Sequence, residues 1–242
     1  MKIKLISDLH QEFYHDEELY KNDSNVDVLV VAGDLAVGYA KVYRALERFA
    51  DNYKDVIYVP GNHEYYGNTI EAFDSKLKAA IVEPNIHFLN PGSVKIGEVT
   101  FIGATLWTNF GGDLFAQQVS ARSINDFISI KEFSTSKACN LYYKHCKFIE
   151  EGLQKLEGKK IVVTHFLPTK ECIAPRFKGP DLINKYFANS LENLIEEYQP
   201  EAWFFGHTHD QINYDHIKTK VVANPYGYYK NANYPEFIYE IL

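Results

Sequence analysis

The chain is poor in cysteine, short of positive charge and without a long apolar run. Among its 242 residues only Cys139, Cys146 and Cys172 carry a thiol. An odd count with no closely spaced pair argues against a disulfide framework and against a zinc ribbon, and reads as three reduced thiols of a cytoplasmic protein. Lys and Arg total 25 against 32 Asp and Glu, a net charge of −7. So little spare positive charge argues against sequence-independent binding of long nucleic acid, which draws on counterion release. It leaves nucleotides and other small phosphates open as substrates. The longest apolar run, Val28 to Ala32, is far below the roughly 18 residues of a membrane span. The segment from Met1 to Ile6 passes into polar sequence at once, so neither a signal-peptide core nor a membrane partner is expected. Repeats, low-complexity stretches and Pro/Gly/Ser linkers are missing as well, and one domain over residues 1–242 is the expectation.

What is present is an ordinary globular balance, with 46% hydrophobic and 24% charged residues. A chain of this length buries enough surface to fold without staples. Short apolar runs alternate with amphipathic stretches, which is the pattern of an α/β layered fold. Strands are expected over Lys2–Ser7, Val26–Ala32, Asp55–Val59, Ile86–Leu89, Ser93–Ile96, Val99–Gly103, Lys160–Thr164, Ala202–Phe205, Lys218–Ala223 and Phe237–Ile241. Helices are expected over Tyr39–Asn52, Thr69–Ile81, Thr135–Leu156 and Tyr186–Tyr198. In the third helix Cys139, Tyr142, Cys146, Ile149 and Leu153 fall on one face. Two stretches, Leu106–Lys131 and Leu167–Lys185, show no regular period and read as long functional loops.

Five of the apolar runs finish in Asp, Asn or His. These are Asp8-Leu9-His10, Gly33-Asp34, Gly61-Asn62-His63-Glu64, Thr164-His165 and Gly206-His207-Thr208-His209. Carboxyl ends of strands are where α/β sheets bind ligands. On extended backbone, residues two apart point to one side, so Asp8 with His10 and His207 with His209 can each aim paired donors into a cavity. Carboxylate, amide and imidazole donors together suit Mn²⁺, Fe²⁺ or Zn²⁺, with Mn²⁺ the ion of choice in vitro. Asp8, His10, Asp34, Asn62, His165, His207 and His209 are too many for one ion. Two ions ~3.5–4 Å apart use them all. Asp34, the acid without a partner two residues on, is the expected bridge. Two divalent cations outweigh Asp8, Asp34 and a bridging hydroxide by one charge, enough to draw a phosphate into an acidic protein. His63 adjoins a ligand and, along extended backbone, faces the other way, toward substrate. His15, His87, His145 and His216 lack this context and are assigned to surface or core, and Asp113, Asp126 and Asp210 to solvated or capping positions.

The five blocks resemble the signature of the calcineurin-like metallophosphoesterase superfamily, and they span the chain from Asp8 to His209. The resemblance implies a four-layer αββα sandwich of two mixed β-sheets flanked by helices. It implies a hydrolase with a binuclear metal centre that cleaves phosphate esters, a phosphatase or phosphodiesterase, by in-line attack of a metal-bridging hydroxide. It places Asp8, His10 and His209 on one ion, Asn62, His165 and His207 on the other, and Asp34 between them. It gives His63 a catalytic role at the phosphoryl group and leaving oxygen, beside Asp34 and Asn62.

Departures within the superfamily narrow the substrate. Asp34 is followed by Leu35-Ala36-Val37-Gly38, without the Asp-Arg-Gly of protein serine/threonine phosphatases, although Glu64 matches that branch. The lipid A precursor hydrolases carry Arg where His63 stands, and the double-strand-break nucleases add a capping domain. The chain is most similar to small stand-alone bacterial-type enzymes acting on a small phosphodiester or phosphomonoester. A nuclease or cyclic-nucleotide phosphodiesterase, a phosphoprotein phosphatase and a catalytically silent scaffold are the alternatives. Candidate substrate contacts are Trp107, Asn109, Phe110 and Arg122 in the first loop, Arg176 and Lys178 in the second, and Tyr226 in Asn224-Pro225-Tyr226-Gly227.

Overall fold

The computed structural model describes residues 1–13, 20–22, 24–179, 182–227 and 236–241. Its elements run β1 (Lys2–Ile6), β2 (Val28–Ala32), α1 (Tyr39–Ala50), β3 (Asp55–Val59), α2 (Ile70–Ala80), β4 (Ile86–Phe88), β5 (Gly92–Ile96) and β6 (Val99–Ala104). They continue with α3 (Leu114–Ser123), α4 (Asp126–Ser129), α5 (Thr135–Lys155), β7 (Lys159–Thr164), α6 (Asn184–Phe187), α7 (Glu192–Tyr198), β8 (Ala202–Phe205), β9 (Ile212–His216), β10 (Thr219–Ala223) and β11 (Ile238–Glu240).

Pleating divides the apolar strands between two cores. Ile3, Leu5, Val28, Val30, Ile57 and Val59 share one cluster with Phe101, Ile161, Val163, Ala202, Phe204 and Val222, so the two sheets pack face to face. The alternate residues, such as Leu29, Val31, Val56, Val162 and Trp203, join the helices in the other cluster. Burial on both faces explains why these runs read as continuously apolar. One sheet has the order β11-β1-β2-β3-β4 and the other β5-β6-β7-β8-β10-β9. β1, β2 and β3 are parallel neighbours, as are β6, β7 and β8, with antiparallel strands at both edges of the second sheet and at β11. Helices α1 and α2 cover the first sheet, and α5 with α7 the second. This is the expected αββα order. Among the described residues no helix is long and apolar enough to cross a membrane.

Four expectations are corrected. The stretch Leu106–Lys131 is not a loop, because it holds α3 and α4. Asp113 starts α3 by accepting from the N–H groups of Phe115 and Ala116. The helix then turns Leu114 and Phe115 to solvent and buries only Ala116 and Ser120, so its apolar residues carry no helical period toward the core. The expected helix Tyr186–Tyr198 is broken into α6 and α7. Ala188 is extended there, and the backbone of Phe187 and Asn189 pairs with Leu167, a tertiary contact that overrides local propensity. Strand β9 was not expected, since its Ile-Asn-Tyr-Asp-His sequence is only half apolar, as suits an edge strand. On α5, Ala138 and His145 take the buried places expected for Cys139 and Cys146, while Tyr142, Ile149 and Leu153 lie as expected.

Candidate metal centre

The carboxyl ends of β1, β2, β3, β7 and β8 meet at one rim, and each contributes donors. The backbone there is not extended. Asp8, His10, Asp34 and His207 have φ of 54°, 44°, 53° and 64°, in the left-handed region that costs a non-glycine residue on the order of 1 kcal/mol. Four hydrogen bonds hold it: Asp8 N–H to Gly33 C=O, His10 N–H to Asp34 C=O, Gln11 N–H to Leu35 C=O and Gly227 N–H to Asp8 C=O. The pairing of Asp8 with His10 therefore comes from a tight left-handed turn and not from the pleat. The backbone at Asn62 is helical and His63 begins a 3-10 turn, so His63 is also not on extended backbone. Two glycines are sterically required. A Cβ at Gly33 would lie 2.2 Å from His165 Nδ1, and one at Gly61 2.2 Å from Asp34 Oδ1.

Two clusters form on either side of Asp34. In the first, the ligand atoms of Asp8, His10 and His209 lie within 4.8 Å of one another, with the two imidazole Nε2 atoms 3.3 Å apart. In the second, Asp34, His165 and His207 are equally close, and Asn62 Oδ1 lies 3.0 Å from His165 Nε2. Asp34 turns Oδ1 toward His165 at 3.4 Å and Oδ2 toward His10 at 3.8 Å, one oxygen to each cluster. His207 and His209 thus face different clusters while both line one cavity, as their spacing implied.

The residues fit a pair of cations. His207 Nε2 is buried with no hydrogen-bond partner, against the rings of Phe166 and Phe187. Burial, with His165 beside it, pushes His207 well below the usual imidazole range, so its lone pair stays available. Burial also lowers His209. His165 donates from Nδ1 to the Ala32 carbonyl at 2.9 Å, which turns Nε2 inward. Burial opposes its protonation, but Asp34 holds it up to about 10, so a cation arriving there displaces a proton. Burial likewise opposes an ionised Asp34, and His165, His63 and His10 hold it well below the ordinary carboxylate range. Asp8 is raised by burial, and accepts from Ser7 Oγ at 2.6 Å and from His207 N–H at 3.0 Å.

Three acids outside the expected ligand set orient it. Glu12 Oε1 lies 3.2 Å from His10 Nδ1 and 3.0 Å from His63 Nδ1. Burial works against its charge, yet the two imidazoles hold Glu12 down to about 2, and His63, against its own burial, is raised to about 9 by Asp34 first and Glu12 second. Asp126 is not a solvated or capping residue. It is buried and accepts from Asn62 Nδ2 at 2.9 Å, from Tyr66 Oη at 2.7 Å and from Tyr186 Oη, which aims Asn62 Oδ1 at His165. Glu64 accepts from the N–H groups of Asp34, Leu35 and Gly61 and from Tyr58 Oη, tying the ends of β2 and β3 together. Glu64 closes the Gly61-Asn62-His63-Glu64 block and Glu12 stands two residues after Asp-x-His, whereas no strand-end block pointed to Asp126.

A cavity of about 520 Å³ opens over Asp34, Asn62, His63, His207 and His209. Of the candidate substrate contacts, Arg176 borders it, paired with Asp210 at 2.7 Å. The others do not line it. Trp107 is wholly buried against Phe133 and Phe166, and Phe110 against Tyr186. Asn109 closes a turn by accepting from Gly111 N–H. Arg122 lies on the exposed side of α3, and Tyr226 is buried with its N–H on the Ser7 carbonyl. Lys178 borders a neighbouring cavity. His145 is a core residue that accepts from Leu106 N–H. His87 and His216 pair with acids at partly buried positions, and His15 lies outside the described residues.

The profile of the calcineurin-like phosphoesterase family matches residues 1–211. An uncharacterized protein of Acanthamoeba polyphaga mimivirus is 27% identical, over 96% of this chain and 92% of its own. The solved phosphopantetheinyl hydrolase of Mycobacterium tuberculosis superposes with a TM-score of 0.77 at 18% identity, covering 94% of this chain and 89% of that one. A dimetal phosphatase from Danio rerio gives 0.54 at 15% identity, over 95% and 88%. Those two likenesses are of fold. The profile, in contrast, runs through every block from Asp8 to His209, and by it this chain belongs to the calcineurin-like phosphoesterase family.

Proposed function

We propose that the chain is a metal-dependent phosphoesterase acting on a small phosphodiester or phosphomonoester. Asp8, His10 and His209 would hold one divalent ion, and Asn62, His165 and His207 the other, with Asp34 between. The observation that carries this is Asp34 itself, with one carboxylate oxygen toward each histidine cluster. Bound there, Mn²⁺, Fe²⁺ or Zn²⁺ supplies Lewis-acid polarisation of the phosphoryl group and an activated water. The chain does the rest. His63 Nε2 lies 4.0 Å from Asp34 Oδ2, near enough for His63 to give a proton to the departing alkoxide. Glu12 fixes the Nδ1 side of both His63 and His10, so each presents Nε2 inward. Phe166 and Phe187 pack against the His207 ring and fix its plane.

The test is a chelated preparation assayed on bis(4-nitrophenyl) phosphate, 4-nitrophenyl phosphate, cyclic AMP and a short single-stranded DNA. Activity disappears on chelation and returns with Mn²⁺. Turnover that survives complete metal removal overturns the proposal. His165, held up to about 10, must give up its proton to take a cation, so the Mn²⁺ required for half-activity rises as pH falls below about 10.

Glu12→Gln separates its two contacts. Mn²⁺ affinity falls by about 10-fold through His10, the usual cost of losing such a support. At saturating Mn²⁺ a deficit in kcat remains through His63, on the order of 10-fold for alkyl leaving groups and small for 4-nitrophenolate, which departs unprotonated. A change confined to KM would show that Glu12 does not act through His63.

A further inference from the structure

The cavity is much larger than a phosphate needs, and its far wall is apolar. Away from the metal ligands it is lined by Ile124, Leu167, Ile173, Phe177, Ile183 and Phe187. About 520 Å³ is the size that takes a drug-sized organic group, within the ~300–1,000 Å³ typical of such sites. With a bare phosphate or a small polyol ester bound, most of that apolar wall would stay in contact with water. A second cavity of about 560 Å³ adjoins it, and Ile173 and Asn184 line both. Around the second stand Lys170, Lys178 and Lys185, with Glu171 as the one acid among the described residues. Lys185 is partly engaged by Asp113 at 2.6 Å, and Glu171 leans toward His216 at 3.8 Å. Three lysines at one basin stand out on a chain of net charge −7. Arg176, at the first cavity, already has Asp210 as its counter-ion, so the basin is the better seat for a second anion.

We infer that the substrate is an elongated phosphate ester: phosphate at the metal centre, an apolar organic body along the Ile173 wall, and a second anionic group at the Lys170/Lys178 basin. This rests on the phosphoesterase reading and narrows it to a substrate class. In the reaction water oxygen bonds to phosphorus, the bond from phosphorus to the leaving oxygen breaks, and the elongated group is released or retained according to which ester bond is cut. A long nucleic acid fits poorly, because its charges recur at every nucleotide while Arg176, the one Lys or Arg among the described residues of the first cavity, is already paired with Asp210.

Three 4-nitrophenyl phosphodiesters test it, with methyl, octyl or 7-carboxyheptyl as the second group, on the full Mn²⁺-loaded chain. Expected kcat/KM rises at least ~10-fold from methyl to octyl, given about 4-fold per fully buried methylene as the ceiling. The carboxylate end adds a further factor of ~3 that fades with salt. In Lys170→Glu/Lys178→Glu the carboxyheptyl-to-octyl ratio drops below one, and Ile173→Asp erases the octyl-to-methyl ratio. Equal rates across the series, or ratios untouched by these substitutions, overturn the inference. No turnover of any ester would instead count against the phosphoesterase reading. In that case calorimetric binding of 8-phosphonooctanoate and of methylphosphonate to the same protein decides the inference, with equal affinities rejecting it.

Discussion

Asp34→Asn lowers kcat/KM on bis(4-nitrophenyl) phosphate by about 10³-fold or more, a loss larger than that of a single transition-state hydrogen bond. The reason is charge and symmetry together. Asp34 presents one oxygen to His165 at 3.4 Å and the other to His10 at 3.8 Å. An amide keeps the shape but removes the negative charge between two sites for divalent cations. It also turns one of the two acceptors into a donor. Asp34 Oδ1 further accepts from His63 N–H at 3.0 Å, which seats the His63 imidazole. An amide oxygen can keep that bond, so the fold survives: circular dichroism and the urea midpoint stay close to the parent, while bound metal drops from two equivalents. A variant with both ions bound and less than a 10-fold loss would remove Asp34 from its bridging role.

The site was legible in the sequence to the extent that strand ends were. Each donor follows a run buried on both faces, and such runs are the clearest signal an α/β chain offers. The aim of the donors was not legible. Left-handed turns at Asp8, His10, Asp34 and His207 are held by hydrogen bonds between loops far apart in the chain, and no local pattern encodes them. For the same reason Asp126 passed for a capping residue. Its partners Asn62, Tyr66 and Tyr186 are up to 64 positions away, and only the folded rim brings their polar atoms to one carboxylate. Trp107, an aromatic in a stretch without period, was open to two readings, a substrate contact or a place in the core, and it fills the core behind the site against Phe133 and Phe166.

Glu64 carries the largest effect on stability. Its buried carboxylate is the acceptor for Asp34 N–H at 3.2 Å, Leu35 N–H at 2.9 Å, Gly61 N–H at 2.9 Å and Tyr58 Oη at 2.9 Å. Glu64→Ala strands these donors in a dry place, and each orphaned group costs about 1–3 kcal/mol before relaxation. Even if water enters and serves some of them, a loss of at least about 3 kcal/mol in urea unfolding at neutral pH is expected. Glu64→Gln keeps one acceptor oxygen and recovers part of that. Both variants also bind Mn²⁺ more weakly, because the Asp34 turn and the Gly61 turn are no longer tied to each other. The order matters: the metal deficit yields to added Mn²⁺, whereas the unfolding deficit of chelated protein does not. A chelated Glu64→Ala protein as stable as the parent would mean that the two turns hold their places without this carboxylate, and that Glu64 belongs to the chemistry instead of the scaffold.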